Sequence, residues 1–273
     1  MTVKSLENIE FEKLIECFLL AFTNYYVDMP QSAEYYKKRW SHTKVDLKLS
    51  YGMFDGENLV GFIINGIDMR NGFLTAYNAG TGVLPDYRKR KIINKIYDHA
   101  IPLMKAKGIK KCLLEVITKN EIAIRSYKNI GFEISRTLKC FSGELDTIHF
   151  KDQLIEKPMT EIEFTTLPNQ QYYSWDHHKN SIISNTDYKY YQIEKQAKPI
   201  AYFIINDSTG QLAQFDIFDN KLSHWGTLFS GIQRISKQLK INNIDNQLHN
   251  KINTLQSLAL DNKIDQYEMV MYI

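Results

Sequence analysis

The chain of 273 residues is 44% hydrophobic and 24% charged, with 13 glycines, 6 prolines, 3 cysteines and a formal net charge of +3. Its length predicts two domains at roughly 100–200 residues each, and its composition excludes wholesale disorder or a collagen-like or linker-like chain. The densest apolar run, CFLLAF at 17–22, is too short to span a membrane, and the acidic N-terminus carries no secretory leader pattern.

Residues 1–7 read as a short strand. Ile9, Leu14, Cys17, Phe18 and Ala21 recur at helical spacing, so the stretch ENIEFEKLIECFLLAF is an amphipathic helix. SAEYYKKRW, 32–40, is a second helix with Ser32 as its cap. Two strands flank Asp55-Gly56, a hairpin signal. FLTAYNAGTGVLP, 73–85, is a third strand, in which Gly80 and Gly82 mark a bulge or a close backbone approach. From Lys91 onward, Ile92, Ile93, Ile96, Tyr97, Ala100, Ile101 and Met104 keep helical spacing until Gly108. KKCLLEVIT, 110–118, is a buried strand; Asn120 opens a helix that Gly131 ends, and Phe132 begins the next strand. The expected fold class is α/β, an α+β mixed sheet with helices on both faces.

Charge is unevenly spread. Residues 1–150 hold 22 Lys and Arg against 17 Asp and Glu, whereas 151–273 hold 12 against 14. Four cations form the run Arg88-Lys89-Arg90-Lys91. Such a run can be a solvated helix start, a nucleic-acid patch or a local anion site. No second basic cluster with interleaved aromatics supports nucleic acid. The flanks favour the anion site, because in GVLPDYRKRKIINKIY, 82–97, the run lies between a strand end and a helix start. A helix N-terminus offers unpaired N–H groups and the positive end of its dipole, ready for a pyrophosphate. Pro85 halts sheet pairing, and Arg88 can add a charge-assisted contact. In NEIAIRSYKNIGF, 120–132, the i, i+4 pair Ala123 and Tyr127 shares one helical face.

Taken together, the two segments resemble the GNAT superfamily of acyl-CoA-dependent N-acyltransferases. The family pattern V-x-P-x-x-[RQ]-x-x-G-x-[GA] stands here as Val83, Pro85, Arg88, Lys91 and Ile93. The pattern N-x-x-A-x-x-x-Y-x-x-x-G-F is met by Asn120, Ala123, Tyr127, Gly131 and Phe132. Lys91 and Ile93 depart from the small residues the family prefers, which let the backbone approach phosphate. The resemblance covers about residues 1–145 and implies an acetyl-CoA-dependent N-acetyltransferase acting on an unidentified amine. Acetyl-CoA would lie in a V-shaped gap between the strand ending at Val83 and the strand 110–118. Its pantetheine arm would pair with the backbone of Thr81, Gly82 and Val83. Its pyrophosphate would sit on the amides of Arg88, Lys89, Arg90, Lys91, Ile92 and Ile93, with Asn120 near the thiol. Tyr127 would be the general acid that protonates the departing thiolate. Candidates for the base are Asp68, Tyr77, Glu115 or a water chain.

Plainer readings stand beside these. Tyr127 can be packing, Asn120 only a helix cap, Glu115 a structurally paired residue. The whole can be a non-catalytic GNAT-like module that binds an acyl-CoA or a protein. His177-His178 reads as surface, since adjacent side chains diverge and no third ligand follows. His42, His99, His149, His224 and His249 are scattered, so no metal is expected. Cys17, Cys112 and Cys140 fit neither a disulfide framework nor a C-x-x-C site, pointing to a reducing, cytoplasmic setting without a membrane.

The second half repeats the order of the first. After a linker at 151–160, strands at 188–196, 198–207 and 210–219 precede a helix at 224–240. A short INNI strand, a helix at 253–262 and a closing strand follow. GENLVGFIIN and AKPIAYFIIN align, with Gly61 matched by Ala201 and the helix at Asn120 matched by one at Asn253. Two GNAT-like domains in tandem are expected, 1–150 and 161–273. The second lacks the basic turn and has Leu260 in place of Tyr127, so it reads as a degenerate copy that no longer binds CoA. The sequence does not speak to oligomeric state.

Overall fold

The computed structural model describes residues 1–146, 151–258 and 260–273; His149 lies outside the described residues. Its contacts divide the chain into two units, Met1–Ser135 with Tyr267–Ile273, and Arg136–Gln266.

Unit 1 contains β1 (Thr2–Ser5), α1 (Phe11–Ala21), α2 (Ala33–His42), β2 (Tyr51–Asp55), β3 (Asn58–Arg70) and β4 (Phe73–Val83). It continues with α3 (Ile92–Ala106), β5 (Lys111–Ile117), α4 (Glu121–Ile130) and the first residues of β6 (Glu133–Glu144). The strands lie in the order β1-β2-β3-β4-β5, followed by the end of β12 (Asp261–Tyr272). Pairing is antiparallel from β1 to β4 and parallel between β4 and β5. The helices cover both faces. Leu14, Phe18 and Ala21 of α1 meet Tyr36 and Trp40 of α2 and Phe62 of β3 in one core. Ile92, Ile96 and Ala100 of α3 meet Leu114, Tyr127 and Phe132 in the other. Local signals act as expected: the Ser32 hydroxyl caps α2 by accepting from the Tyr35 amide, and α4 ends where Gly131 takes φ +115°, a conformation that disfavours any Cβ.

Unit 2 contains most of β6, then β7 (Gln153–Lys157), α5 (Lys179–Ile183), β8 (Lys189–Lys195), β9 (Lys198–Asn206) and β10 (Gln211–Ile217). After these come α6 (Ser223–Ile235), β11 (Gln238–Asp245), α7 (His249–Ser257) and the start of β12. Its strand order is β6-β11-β10-β9-β8-β7. The series β8-β9-β10-α6-β11-α7-β12 repeats β2-β3-β4-α3-β5-α4-β6.

Four details differ from the sequence reading. The stretch read as a linker holds β7, which pairs antiparallel with β8 from Gln153↔Glu194 to Lys157↔Tyr190. The helix expected to reach 240 stops at Ile235, because residues from Gln238 alternate exposed and buried as β11. The next helix starts at His249 rather than Asn253, on a tight turn where the Leu248 amide donates to the Asp245 carbonyl. Leu248 is therefore the counterpart of Asn120, and the position matching Tyr127 is Leu255 rather than Leu260. Finally, His177 is buried rather than on the surface.

Candidate active site

The site in unit 1 is built on the place where β4 and β5 part. Their parallel register runs from Thr75↔Lys111 to Asn78↔Leu114 and goes no further. At the same point β4 bulges: Ile64 of β3 faces Gly80, while Asn65 faces Asn78, leaving Ala79 as the extra residue. The Asn78 side chain holds this bulge. Its Oδ1 accepts from the Gly80 amide at 3.0 Å, and its Nδ2 donates to the Tyr97 hydroxyl at 2.8 Å and to Thr81 Oγ1. Beyond the bulge, α1 lies directly on β4. A Cβ at Gly82 would stand 2.6 Å from Phe62 Cζ and 2.7 Å from Ala21 Cβ, so only glycine allows that approach.

The basic turn follows. A 3₁₀ turn, Pro85–Tyr87, leads through Arg88, Lys89 and Arg90 to Lys91, the residue that precedes α3. Lys89 and Lys91 have φ of +62° and +55°, and no side chain caps the α3 N-terminus. Its first amides are thus left for an outside acceptor. Ile92 is buried in the core and Ile93 packs against it, so these two can contribute only backbone. Arg88 is used internally: Nε donates to the Val83 carbonyl at 3.3 Å and an Nη to the Ala21 carbonyl at 3.1 Å. It ties the turn to β4 and α1. Arg90 donates to the Asp86 carbonyl and lies over the Tyr87 ring, 5.0 Å from its centroid. Lys89 and Lys91 are exposed. Parted strands with an open, uncapped helix end beside them fit an extended ligand that ends in phosphates.

Tyr127 and Asn120 close the other side of the gap. Asn120 caps α4 by accepting from the Ala123 amide at 3.2 Å; burial raises the Tyr25 phenol, and Asn120 beside it lowers it. Tyr127 is buried against Phe132, ring centroids 5.8 Å apart. Burial pushes its phenol up to about 12; the hydrogen bond from Thr81 lowers it and nearby Tyr25 raises it. The phenol therefore carries its proton at every pH an amine acylation needs. Thr81, Asn120 and Tyr127 thus come together with Tyr25, while Arg88 to Ile93 gather at the α3 end.

Among the other candidates, Asp68 is an ion-pair partner of Lys44 at 3.0 Å and of Arg70 at 3.2 Å. Glu115 is half-buried on β5, immediately after the last residue paired to β4. Tyr77 is buried. Tyr36 belongs to the core, whereas the Tyr26 hydroxyl donates to the Lys119 carbonyl at 3.2 Å, joining the α1–α2 loop to the loop before α4. Asn78 was not singled out from sequence, although an Asn two residues before a strand glycine is the signal it offered.

The matching place in unit 2 is filled from within. β10 and β11 share a single register pair, Gln211↔Lys240, before they part. On the open edge of β10, Tyr173 accepts from the Phe215 amide and donates to the Phe215 carbonyl, both at 3.2 Å. Lys251 of α7 also donates to that carbonyl, at 2.7 Å, and pairs with Asp216 at 2.9 Å. Toward the start of α6 a cavity of about 450 Å³ is left, lined by residues including Asp216, Phe218, Trp225 and His249. No group of three or more metal-ligating side chains occurs among the described residues, and no helix among them is long and apolar enough to cross a membrane.

Comparison with known proteins agrees with this geometry. Residues 12–132 match the family model of the acetyltransferase (GNAT) family. N-alpha-acetyltransferase 30 of Schizosaccharomyces pombe is 28% identical over 86 residues, 31% of this chain and 57% of that protein's length. The chain thus spans little more than half of that curated relative. A tandem GNAT protein from the clavulanic acid biosynthesis pathway superposes with a TM-score of 0.63 at 11% identity, covering 99% of this chain and 98% of its own. The glucosamine N-acetyltransferase region of a fungal multi-domain β-N-acetylglucosaminidase gives a TM-score of 0.73 at 11% identity, covering 99% of this chain and 38% of that one. At such identities the likeness is one of fold: a GNAT fold in tandem.

Proposed function

We propose an acetyl-CoA-dependent N-acetyltransferase whose chemistry lies in unit 1, on the strength of the match of residues 12–132 to the acetyltransferase (GNAT) family model. The observation that carries the reading is the parting of β4 from β5 at Asn78, with an uncapped helix end on one side and Tyr127 on the other. Acetyl-CoA supplies an activated acyl thioester. Backbone groups of Thr81, Gly82 and Val83 hold the pantetheine arm, and the amides of residues 89–93 hold the pyrophosphate, with Lys89 and Lys91 adding charge; the Arg88 amide is taken by the Pro85 carbonyl.

In the reaction the acceptor amine attacks the thioester carbonyl directly. The C–N bond forms, the C–S bond breaks, and the sulfur leaves with the electron pair. Tyr127 donates its proton to that sulfur and recovers one released by the attacking nitrogen. Glu115 is the base favoured by position, since it lies where the strands separate, whereas Asp68 is committed to Lys44 and Arg70. Unit 2 is read as the degenerate copy. Its equivalent backbone edge is occupied by Tyr173 and Lys251.

The test is release of free thiol from acetyl-CoA over a panel of amines that includes peptides with free N-termini. Acceptor-dependent release supports the reading. Acetyl-CoA binding without release for any amine favours the alternative, a GNAT-like acyl-CoA-binding or protein-interaction module.

A further inference from the structure

We propose that the cavity of unit 2 is a second binding site, built for a neutral polyhydroxylated ligand of monosaccharide size. The inference rests on unit 2 alone and stands whether or not unit 1 transfers acetyl groups.

The cavity, about 450 Å³, lies where the end of β10 meets the starts of α6 and α7; small-molecule sites run from about 300 to 1,000 Å³. Two buried charges line it, and they neutralise each other. Lys251 and Asp216, only 2% and 3% exposed, meet at 2.9 Å. The Asp216 carboxylate also accepts from the Asn169 carboxamide and from the Ile217 amide, each at 2.9 Å. Nearer solvent, Asp219 is engaged by His224 Nδ1 at 2.8 Å and by the Lys221 amide at 3.1 Å.

These pairings narrow the ligand. The lining holds one lysine, already spent, against two aspartates, with His249 as its remaining titratable side chain. A phosphate or carboxylate would meet no unpaired lysine or arginine and would lie beside two like charges, the reverse of the Arg88-Lys89-Arg90-Lys91 turn. A cation would find both aspartates occupied, and a wholly apolar ligand would strand the polar lining without water. A neutral polar ligand is left. Asn169, Asn220, Gln247 and Asn250 all line the space, and a carboxamide both donates and accepts. No side chain caps α7, and Asn250 and Lys251 of its first turn are at the cavity, so main-chain donors are added. A hydroxyl likewise donates and accepts, so a ring of hydroxyls uses this mixed set in full. Phe218 and Trp225 add aromatic surface for the C–H face of a sugar or cyclitol.

The test titrates the full chain with glucose, galactose, mannose and myo-inositol, read by tryptophan fluorescence and calorimetry. Of the three tryptophans, Trp225 lines the cavity, whereas Trp40 and Trp175 do not. A saturable fluorescence change with at least one probe is expected, and Trp225→Phe should abolish it. Asn220→Ala and Asn250→Ala, at exposed positions, should each weaken binding about fivefold. They decide the matter even where Trp225→Phe fails to fold. Inorganic pyrophosphate should not displace the bound probe. No saturable response to any probe, binding unaltered by both asparagine variants, or displacement by pyrophosphate would overturn the site. Thiol release from acetyl-CoA tests unit 1 separately and is untouched by any of these results.

Discussion

Tyr173 and Phe215 meet through hydroxyl and main chain: the phenol takes the amide of Phe215 and returns a hydrogen bond to its carbonyl, both at 3.2 Å. Phe215 faces Phe203 of β9 in the antiparallel register, so these two groups point to the side where β11 has already diverged. A side chain of unit 2 does there what we propose the pantetheine arm does in unit 1. Tyr173→Phe removes both bonds and the contact with the Tyr202 hydroxyl; the Phe215 carbonyl keeps its bond from Lys251, while the buried Phe215 amide loses its acceptor. It is expected to cost about 1–2 kcal/mol in chemical denaturation and to leave acetyl-CoA affinity unaltered. A change in that affinity would show that unit 2 takes part in donor binding.

Lys91 holds a left-handed conformation, φ +55° and ψ +32°, at the entry to α3. Such backbone costs a residue with a Cβ on the order of 1 kcal/mol, and the GNAT pattern quoted above has glycine here. Lys91→Gly should raise stability by about 1 kcal/mol and keep acetyl-CoA binding through the amides. If stability falls, the strain at this turn is not what distinguishes it.

Tyr127→Phe keeps the ring that packs on Phe132 and removes only the hydroxyl. Turnover should fall about 100-fold, with acetyl-CoA affinity within twofold of wild type, as measured by steady-state kinetics beside equilibrium titration. Unchanged turnover would remove Tyr127 from the role of acid.

Burial raises Cys17, Cys112, Tyr36 and Tyr127, each to about 12, from ordinary values of 9.0 for the thiols and 10.0 for the phenols. A group whose folded value lies above its unfolded one binds its proton more tightly when folded. Its stabilisation is complete below the unfolded value and is lost as pH rises toward the folded one. Folding stability should therefore be flat up to about pH 8 and fall steadily between 9 and 12. Urea denaturation across that range checks it, and a flat profile to pH 11 would contradict the burial of these four groups.

Much of the fold was legible in the sequence where the signals are local. Ser32, Asn120 and Gly131 mark helix ends because capping and positive φ depend on one or two residues. The alternation around Asp55-Gly56 gives a hairpin for the same reason. Non-local pairing was less legible. That 267–273 belong to unit 1 is decided by which strand finds an open edge, and β7 looked like a linker because a polar five-residue strand has little hydrophobic pattern. At the site, the motifs point to Asn120 and Tyr127, and the resemblance to the backbone of Thr81, but neither points to Asn78. Its importance comes from a bulge and from a hydroxyl on α3, neither of which its sequence neighbours reveal. Arg88 was expected to face the anion. In the fold its guanidinium is committed to the carbonyls of Val83 and Ala21, which leaves Lys89, Lys91 and the amides for that task.

The central claim, one acyl-CoA site in unit 1 and none in unit 2, is tested most directly by calorimetric titration with acetyl-CoA. Wild type should take up one equivalent per chain, and the paired charge reversal Lys89→Glu with Lys91→Glu should weaken that binding at least tenfold at low salt. Two equivalents, none, or a single one that the charge reversal leaves untouched would contradict the account.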